Sequence, residues 1–147
     1  MSERFVLKAF ADLSLRELYE VMVLRNDVFV VGQKITEEAE VDGLDPECHH
    51  ALLYDGEELV GTARLFWADE PVKVGRVAVA RGRQRGGLGT RLMLGVQEAL
   101  GARRAKLHAQ AYLEEWYARL GWERQGEVFD EAGIDHVVMY WKPTNRT

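Results

Sequence analysis

Apolar and polar residues change their period along the chain, and each change marks the boundary of a predicted element. Residues 4–10 are rich in β-forming side chains and predict a first strand. The apolar positions that begin at Leu15 recur at helical spacing, which predicts a helix to about Asn26 or a little beyond. Ser14 and Glu17 have the S-x-x-E spacing of a capping box, so this helix should start at Leu15.

The middle of the chain first loses and then regains a regular pattern. Residues 32–47 are acidic and contain glycine and proline breakers, so they predict a loop with at most one helical turn. Two β-rich runs follow at 49–54 and 58–67, and the sequence Asp-Gly-Glu at 55–57 between them predicts an antiparallel hairpin. A further strand is predicted over 72–79.

The C-terminal half alternates helices with short strands. Leu88 opens the clearest amphipathic pattern, which predicts a helix that ends near Gly101. The other predicted elements are a strand at 106–110, a helix at 112–120 and two strands at roughly 122–129 and 136–141. This order predicts an α/β fold of mixed α+β character, with residues 1–147 in a single domain. Its central sheet should be mixed, mostly antiparallel and six- to seven-stranded, with helices on both faces.

The composition is that of a packed domain without export or membrane signals. The 147 residues are 47% hydrophobic and 29% charged, close to globular averages. The formal net charge of −5 argues against nucleic-acid binding, which needs a basic face. Cys48 is the only cysteine, the first residues lack a signal-peptide pattern, and no apolar run approaches the ~20 residues of a membrane span. We therefore expect a cytoplasmic protein that contacts no membrane.

Against this acidic background, the junction between the strand at 72–79 and the helix from Leu88 concentrates arginines and glycines. They are Arg81, Arg83, Arg85, Gly86, Gly87 and Gly89. Glycines leave backbone N–H groups accessible at a helix N-terminus, whose dipole attracts anions. The arginines can add charge-assisted hydrogen bonds to phosphate oxygens. The junction therefore predicts an anion site, for which a pyrophosphate is the natural ligand.

Other readings of this glycine-rich junction fit less well. A Walker A loop counted from Gly82 places Gly87 correctly but requires lysine where the chain has Leu88. The dinucleotide pattern G-x-G-x-x-G requires glycine where the chain has Leu92. An arginine–glycine RNA-binding segment is usually repeated and disordered, whereas this one is single and lies between two ordered elements. An ordinary glycine-rich turn with solvated arginines remains as an alternative interpretation of this junction.

Two motifs in the chain resemble the GNAT superfamily of N-acetyltransferases. Residues 84–89, QRGGLG, match its Q/R-x-x-G-x-G/A loop, and residues 116–122, WYARLGW, resemble its FYxxxGF segment. Both motifs lie on the expected elements and in the expected order, so the resemblance covers most of the chain. The segments VLRNDVFVVGQ, EVDGLD and GIDHVVMYW are further similar to ElaA-type and YjcF-type bacterial members. The LRxxVFVxxQ portion also resembles acyl-homoserine-lactone synthases.

The resemblance implies transfer of an acetyl group from acetyl-CoA to a primary amine of a small molecule or peptide, by direct attack in a ternary complex. The implied cofactor-binding residues are Val77, Ala78, Val79, Gln84, Arg85, Gly86, Gly87, Leu88, Gly89, Thr90 and Gln110. The strand residues would pair with the pantetheine amides, and the loop would bind the pyrophosphate. An amide-bearing arm can bind as an added strand where the neighbouring strand diverges, so we expect the fourth and fifth strands to splay. A surface role is the alternative for Gln110.

Acetyl transfer needs a neutral amine and a protonated leaving thiol. An ammonium of pKa ~10.4 loses its proton at pH 7 at a cost of roughly 4–5 kcal/mol, so a base or a water relay is useful. The resemblance assigns the leaving-group acid to Tyr117, whose hydroxyl can protonate a thiolate, with a packing role as the alternative. The oxyanion would meet a backbone N–H within Val77–Val79, where a bulge would aim it inward.

No motif fixes the general base or the acceptor. The candidate bases are Glu40, Asp42, His50 and His136, with Glu115 a weaker one. The same four residues and Arg64 are the candidate acceptor-binding residues. The acidic run at 37–45 would attract a cationic acceptor or simply keep a loop soluble, and we favour solubility. Arg64 alternates with Ala63 and Leu65, so it would face the acceptor cleft and prefer a carboxylate or phosphate.

Further alternatives follow from the same residues. The chain could be a CoA-binding or sensing module that lacks turnover, or an acyltransferase for a longer acyl-CoA. A homodimer is a third arrangement, formed through Trp122, Tyr140 and Trp141 if these aromatics are exposed. We expect no metal, because adjacent strand residues such as His49 and His50 point to opposite faces.

Overall fold

The computed structural model describes residues 3–84 and 86–143, which form a seven-stranded sheet with helices on both faces. The strands are β1 (Glu3–Ala9), β2 (His49–Asp55), β3 (Glu58–Phe66), β4 (Val72–Val79), β5 (Ala105–Gln110), β6 (Trp122–Glu131) and β7 (Ile134–Trp141). The helices are α1 (Leu15–Arg25), α2 (Leu88–Leu100) and α3 (Glu114–Arg119). Short 3₁₀ turns span Phe10–Asp12, Asp45–Glu47 and Ala111–Leu113. In the described part of the chain, no helix combines the length and the apolar character needed to cross a bilayer.

The sheet is mixed and mostly antiparallel, which confirms the predicted fold class. Its strand order is β1-β2-β3-β4-β5-β7-β6, and neighbours are antiparallel except for β4 and β5, which run parallel. A parallel pair needs a crossover connection, which α2 supplies between β4 and β5. The predicted hairpin joins β2 to β3, with Gly56 at φ +64° in its turn.

The capping box predicted at Ser14 sets the start of α1. The backbone N–H of Glu17 donates to Ser14 Oγ at 3.0 Å, and the N–H of Ser14 donates to Glu17 Oε1 at 2.8 Å. The chain stays helical after Asn26, because Asn26–Gly32 continues α1 as a π-helical segment. This continuation places Val28 and Phe29 against the cavity described below.

Each face of the sheet has its own apolar core. On one face, α2 buries Leu92, Met93 and Val96 completely. Gly95 of the same helix lies so close to β1 that a Cβ atom at this position would be 2.5 Å from Cδ2 of Phe5. On the other face, α1 packs through a second buried cluster that includes Val21. The strands β2, β3 and β4, which contribute residues to both clusters, are therefore held between two packed layers.

The C-terminal elements differ most from the prediction. The predicted helix at 112–120 is a 3₁₀ turn followed by the short α3, and the two last strands are longer than predicted. They are joined by Ala132 and Gly133, both of positive φ, at +54° and +80°. This geometry suits a two-residue hairpin, but alanine rarely adopts it, so the sequence did not indicate the turn.

Trp122 does not belong to an exposed aromatic surface, contrary to the sequence-based expectation. It is 1% exposed, and its Nε1 donates to Gln97 Oε1 of α2 at 2.8 Å. The indole therefore anchors the start of β6 to α2 and offers nothing to a partner chain.

Candidate active site

β4 and β5 separate part-way along the sheet, and an open cavity of about 980 Å³ extends from this gap. Their pairing is limited to Val72–Val74 with Ala105–Leu107, although β4 continues to Val79 and β5 to Gln110. Beyond the last pair, the edge of β4 that faces β5 has no strand partner among the described residues. The predicted splay is confirmed, and the unpaired backbone groups of β4 can bind an extended amide chain.

A β-bulge in β4 reorients the backbone inside this gap. Arg76 and Val77 together oppose Ala63 of β3, because the register shifts by one residue here. Arg76 takes φ +49°, which is unusual for a residue with a side chain. The bulge includes Val77, the first residue of the segment Val77–Val79, in which the sequence analysis expected an inward-pointing N–H group.

The N-terminus of α2 forms another wall of the cavity. Gly87 caps the helix in the left-handed region with φ +81°, and Gly86 before it has φ +109°. No side chain of the described residues caps the first turn, so its backbone N–H groups stay available to an anion. The side chain of Leu88 is buried, so this residue can offer only its backbone.

Gly89 has a packing role that the sequence analysis did not foresee. A Cβ atom at Gly89 would lie 3.3 Å from Cζ2 of Trp116, which is tighter than an ordinary van der Waals contact. Trp116 also donates from Nε1 to Thr90 Oγ1 at 3.3 Å. The aromatic motif of α3 therefore packs directly on the glycine motif of α2, while Gly89 and Thr90 still line the cavity.

Two arginines of this junction bind carboxylates of the chain itself, contrary to the expectation that they face phosphate. Arg81 donates from Nε and Nη2 to the two carboxylate oxygens of Asp27, at 3.0 and 2.9 Å. Arg83 pairs with Asp55 and with Glu58. The third, Arg85, lies outside the described residues. The anion site of the described chain thus consists of backbone donors.

Arg91, which sequence reasoning did not single out, holds the glycine loop in place. Its Nη2 donates to the carbonyl oxygen of Gly86 at 2.9 Å, and its Nε pairs with Glu3 of β1. Gln84 adds a further tie, since its Nε2 donates to the carbonyl oxygen of Val79 at 3.2 Å. The loop is therefore fixed to α2, to β1 and to the end of β4.

Gln110 ends β5 and pairs with Gln33, which follows the π-helical segment. Gln110 Nε2 donates to Gln33 Oε1 at 3.0 Å, and the reverse contact measures 3.4 Å. Both side chains line the cavity. Gln110 is therefore not a solvated surface residue, and its side chain faces the cavity.

Tyr117 is buried in an aromatic cluster at the edge of the cavity. It is 5% exposed, and its ring lies 4.8 Å from that of Trp116 and 6.2 Å from that of Trp122. It lines the cavity, and its hydroxyl forms no hydrogen bond with the described residues. Burial raises the pKa of Tyr117 above its ordinary value, so the hydroxyl stays protonated at neutral pH.

The acidic segment before β2 binds three arginines, so solubility is not its only role. The arginine network consists of Arg25, Arg64, Arg76, Glu40, Asp42 and Asp45. Arg25 is 1% exposed and donates to Glu40 Oε2 at 2.7 Å and to Asp45 Oδ1 at 2.6 Å. The network fixes the loop between α1 and β2 beside the cavity.

Three candidate acceptor-site residues are members of this network. Arg64 is bound by Asp42 and Asp45, at 2.6 and 3.2 Å, which argues against a role in binding a substrate carboxylate or phosphate. The hydrogen bond from Arg64 holds the pKa of Asp42 well below its usual range, which makes this carboxylate a weak base. Glu40 accepts hydrogen bonds from Arg25 and Arg76, at 2.7 and 2.9 Å.

Two further candidate bases lie away from the cavity lining. His50 is fully buried, its Nε2 donates to the carbonyl oxygen of Asp45 at 3.1 Å, and burial lowers its pKa. Glu115 is exposed on α3. Neither side chain is placed to meet an acceptor inside the cavity.

Two histidines line the cavity on the sheet face shared by β5 and β7. Nδ1 of His136 lies 2.7 Å from the carbonyl oxygen of Ile134. Nδ1 of His108 lies 2.7 Å from Oε1 of Glu131. Sequence reasoning named His136 but missed both His108 and Glu131.

Comparison with known proteins agrees with this geometry. The chain belongs to the GNAT family of acetyltransferases, because residues 17–143 match the acetyltransferase (GNAT) domain of that family. It is similar to the solved structure of an acyl-CoA N-acyltransferase from Pseudomonas aeruginosa, with 35% identity, a TM-score of 0.85 and coverage of 95% of this chain and 99% of that one. Escherichia coli ElaA is similar at 31% identity and a TM-score of 0.87, over 96% of this chain and 100% of that one. The uncharacterized N-acetyltransferase YjcF of Bacillus subtilis is 31% identical over 90% of this chain and 98% of that protein.

Proposed function

We propose that the protein is an acetyl-CoA-dependent N-acetyltransferase, which acetylates a primary amine of a small molecule or peptide by direct attack in a ternary complex. The observation that carries this proposal is the course of β4, whose unpaired edge leads from the bulge at Arg76 toward the N-terminus of α2, where no side chain of the described residues caps the first turn. The unpaired edge suits the amides of a pantetheine arm, and the helix N-terminus suits a pyrophosphate.

The proposed cofactor contacts are mainly backbone contacts. The backbone of Val77, Ala78 and Val79 would pair with the arm, and residues 84–90 would surround the diphosphate. Gln110 would bind the arm near the end of β5. A GNAT family acetyltransferase from Elizabethkingia anophelis, which shares the fold at 13% identity and a TM-score of 0.68, was crystallised with acetyl-CoA bound. That structure supports the capacity of the fold for this ligand.

The proposed chemistry uses two groups of the cavity. The neutral amine attacks the acyl carbon, a C–N bond forms and the C–S bond breaks. A backbone N–H at the bulge in β4 would bind the oxyanion that develops on the acyl oxygen. Tyr117 would protonate the departing thiolate, a role that its buried and protonated hydroxyl supports.

Calorimetry with CoA, followed by a thiol-release assay with acetyl-CoA and a panel of amines, tests this proposal in two parts. We expect CoA to bind and at least one primary amine to accelerate the release of free thiol. Binding of CoA without release by any amine would instead support a CoA-binding or sensing module. Release from a longer acyl-CoA but not from acetyl-CoA would identify a different acyltransferase, and an absence of CoA binding would contradict all three.

A further inference from the structure

His108 lies at the point where β4 and β5 part. Leu107 is the last residue of β5 that pairs with β4, and His108 follows it directly. Leu107 and Ala109 are buried in the core beside α2, so the alternation of a strand turns His108 to the opposite face, where it lines the cavity. An arm that starts at α2 and lies along β4 runs back from Val79 toward this point.

The ring of His108 is held by a carboxylate. Its Nδ1 lies 2.7 Å from Oε1 of Glu131, which is 23 residues away in the sequence. An ionised carboxylate only accepts hydrogen bonds, so Nδ1 carries the proton and donates it. The neutral ring therefore has its free lone pair on Nε2. The side chain of His108 remains 28% exposed, so a ligand in the cavity has access to the ring.

Other groups of the cavity are less suited to take a proton. Glu40 and Asp42 are bound by arginines. His136 is 7% exposed, and its Nδ1 donates to a backbone carbonyl, which lacks the full charge that stabilises an imidazolium. The other charged or titratable side chains that line the cavity are Glu38, which is exposed to solvent, and Arg64, Lys73, Arg76, Tyr112, Tyr117 and Glu131. Among the four histidines, all within the described residues, His108 alone combines this access with a carboxylate partner.

We propose that His108 is the general base of the acetyl transfer and that Glu131 is a positioning residue that orients its ring. This inference rests on the proposed function. Nε2 of His108 accepts one proton from the acceptor ammonium, and the neutral amine attacks the acyl carbon of the thioester. As the C–N bond forms and the C–S bond breaks, a second amine proton reaches the departing sulfur through Tyr117. The imidazolium then releases its proton to water, so one ammonium and one thioester give one amide, one thiol and one proton.

Glu131 contributes to this step in two ways. Its hydrogen bond fixes the tautomer that leaves Nε2 unprotonated, and its negative charge stabilises the imidazolium that forms. Glutamine at this position would keep an acceptor for Nδ1–H but remove the charge. The two contributions can therefore be separated by substitution.

The kinetic test compares His108→Gln and Glu131→Gln with the wild type, using acetyl-CoA and the amine that gives the fastest thiol release in the panel. At pH 7 we expect His108→Gln to lower kcat/KM at least tenfold, and we expect this loss to shrink as rising pH deprotonates the amine in solution. Glu131→Gln should lower kcat/KM less, because glutamine keeps an acceptor for Nδ1–H, whereas Glu131→Ala should approach the loss seen in His108→Gln. The affinity for CoA should be unchanged in these variants.

His49→Gln is the matched control for the loss of an imidazole. His49 stacks on Trp67 with ring centroids 4.9 Å apart and does not line the cavity, so this variant should keep the wild-type kcat/KM. If His108→Gln also keeps the wild-type value, the inference is wrong while the proposed function stands. If the wild type binds CoA but acetylates no amine, the proposed function fails and the inference fails with it.

Nitrogen-15 NMR of the imidazole rings gives a readout that does not depend on the acceptor. In its neutral form, we expect the His108 ring to carry its proton on Nδ1 and none on Nε2, with signals that disappear in His108→Gln and shift in Glu131→Gln. A His108 ring that is protonated at Nε2 instead would overturn the inference whatever the kinetics.

Discussion

The guanidinium of Arg25 and the carboxylate of Asp45 meet at 2.6 Å, although 20 residues separate them in the sequence. Arg25 is the last residue of α1, and Asp45 begins the 3₁₀ turn before β2. Both side chains are buried, and Asp45 also accepts a hydrogen bond from Arg64 of β3 at 3.2 Å. This contact closes the loop between α1 and β2, part of which lines the cavity.

Asp45→Asn should destabilise the protein by about 1–3 kcal/mol at pH 7, because it removes a carboxylate that accepts hydrogen bonds from Arg25 and Arg64, while Glu40 and Asp42 remain as their partners. Burial alone would raise the pKa of Asp45, but Arg25 and Arg64 outweigh burial and hold it below its usual value. A carboxyl whose pKa is lower in the folded than in the unfolded chain stabilises the fold at pH values above its pKa in the unfolded chain, ~3.9. This contribution is lost as the pH falls through the lower pKa of the folded state. The difference between variant and wild type in urea unfolding should therefore be full at pH 7 and shrink below about pH 4.

Asp135→Asn is the control for this experiment, since Asp135 is exposed on β7. It should change the free energy of unfolding by less than about 0.5 kcal/mol. A loss in Asp45→Asn that stays constant from pH 7 down to pH 2 would contradict the ion-pair explanation.

Gly87→Ala should weaken the binding of CoA about tenfold or more, because φ +81° is a left-handed conformation that alanine disfavours at the cap of α2. The substitution should also lower the stability by about 1–2 kcal/mol. Gly56→Ala is the matched control, because Gly56 has φ +64° in a turn that does not line the cavity. It should lose comparable stability but bind CoA normally in calorimetry. Equal affinities for CoA in all three proteins would remove the glycine loop from the proposed binding site.

Gly95→Ala should destabilise the protein by about 1–3 kcal/mol, because the new methyl group would overlap the ring of Phe5. Gly75→Ala adds the same methyl group where no atom lies within 4 Å and φ is not in the left-handed range, so its stability should be within about 0.5 kcal/mol of the wild type. Thermal unfolding of the two variants checks this difference. A Gly95→Ala protein as stable as the wild type would mean that β1 and α2 can move apart at little cost.

Tyr117→Phe should lower the rate of thiol release at least tenfold while leaving the affinity for CoA nearly unchanged, because it removes the proposed acid and keeps the packing ring. Burial raises the pKa of Tyr117 above its ordinary ~10, so the wild-type rate should show no loss of this acid below pH 10. Tyr19→Phe, on the exposed side of α1, is the control and should be fully active. A wild-type rate in Tyr117→Phe would leave the tyrosine with a packing role only.

Local patterns predicted the elements that depend on local interactions. The bounds of β4, the start of α1 at its capping box and the glycine cap of α2 all follow from residues within one turn or one strand. The pairing of side chains that are far apart in the sequence could not be predicted from these local patterns. Arg81 pairs with Asp27, 54 residues away. An arginine that the sequence analysis expected to bind phosphate therefore binds a carboxylate of the chain instead. Charge and spacing alone do not rank such competing partners.

The acceptor side of the site was the least predictable part. The alternation of β5 places His108 on the face opposite to Leu107, so that residue was within reach of sequence reasoning. Glu131 was not, because a register shift between Gln125 and Phe129 separates its position from any simple count along β6. The contact between His108 and Glu131 forms only once β5 and β6 have taken their places in the sheet.

The short contact between β4 and β5 has a mechanical consequence. Only three residue pairs, Val72–Val74 with Ala105–Leu107, join the four-stranded and three-stranded parts of the sheet through hydrogen-bonded strands. The sheet therefore consists of two parts that are joined along only part of β4. The rest of this strand edge can pair with an extended amide chain. A ligand whose amides pair with this edge would add hydrogen bonds between the two parts of the sheet. We therefore expect its binding to reduce the motion of the two parts relative to each other, as well as to supply a reactive group.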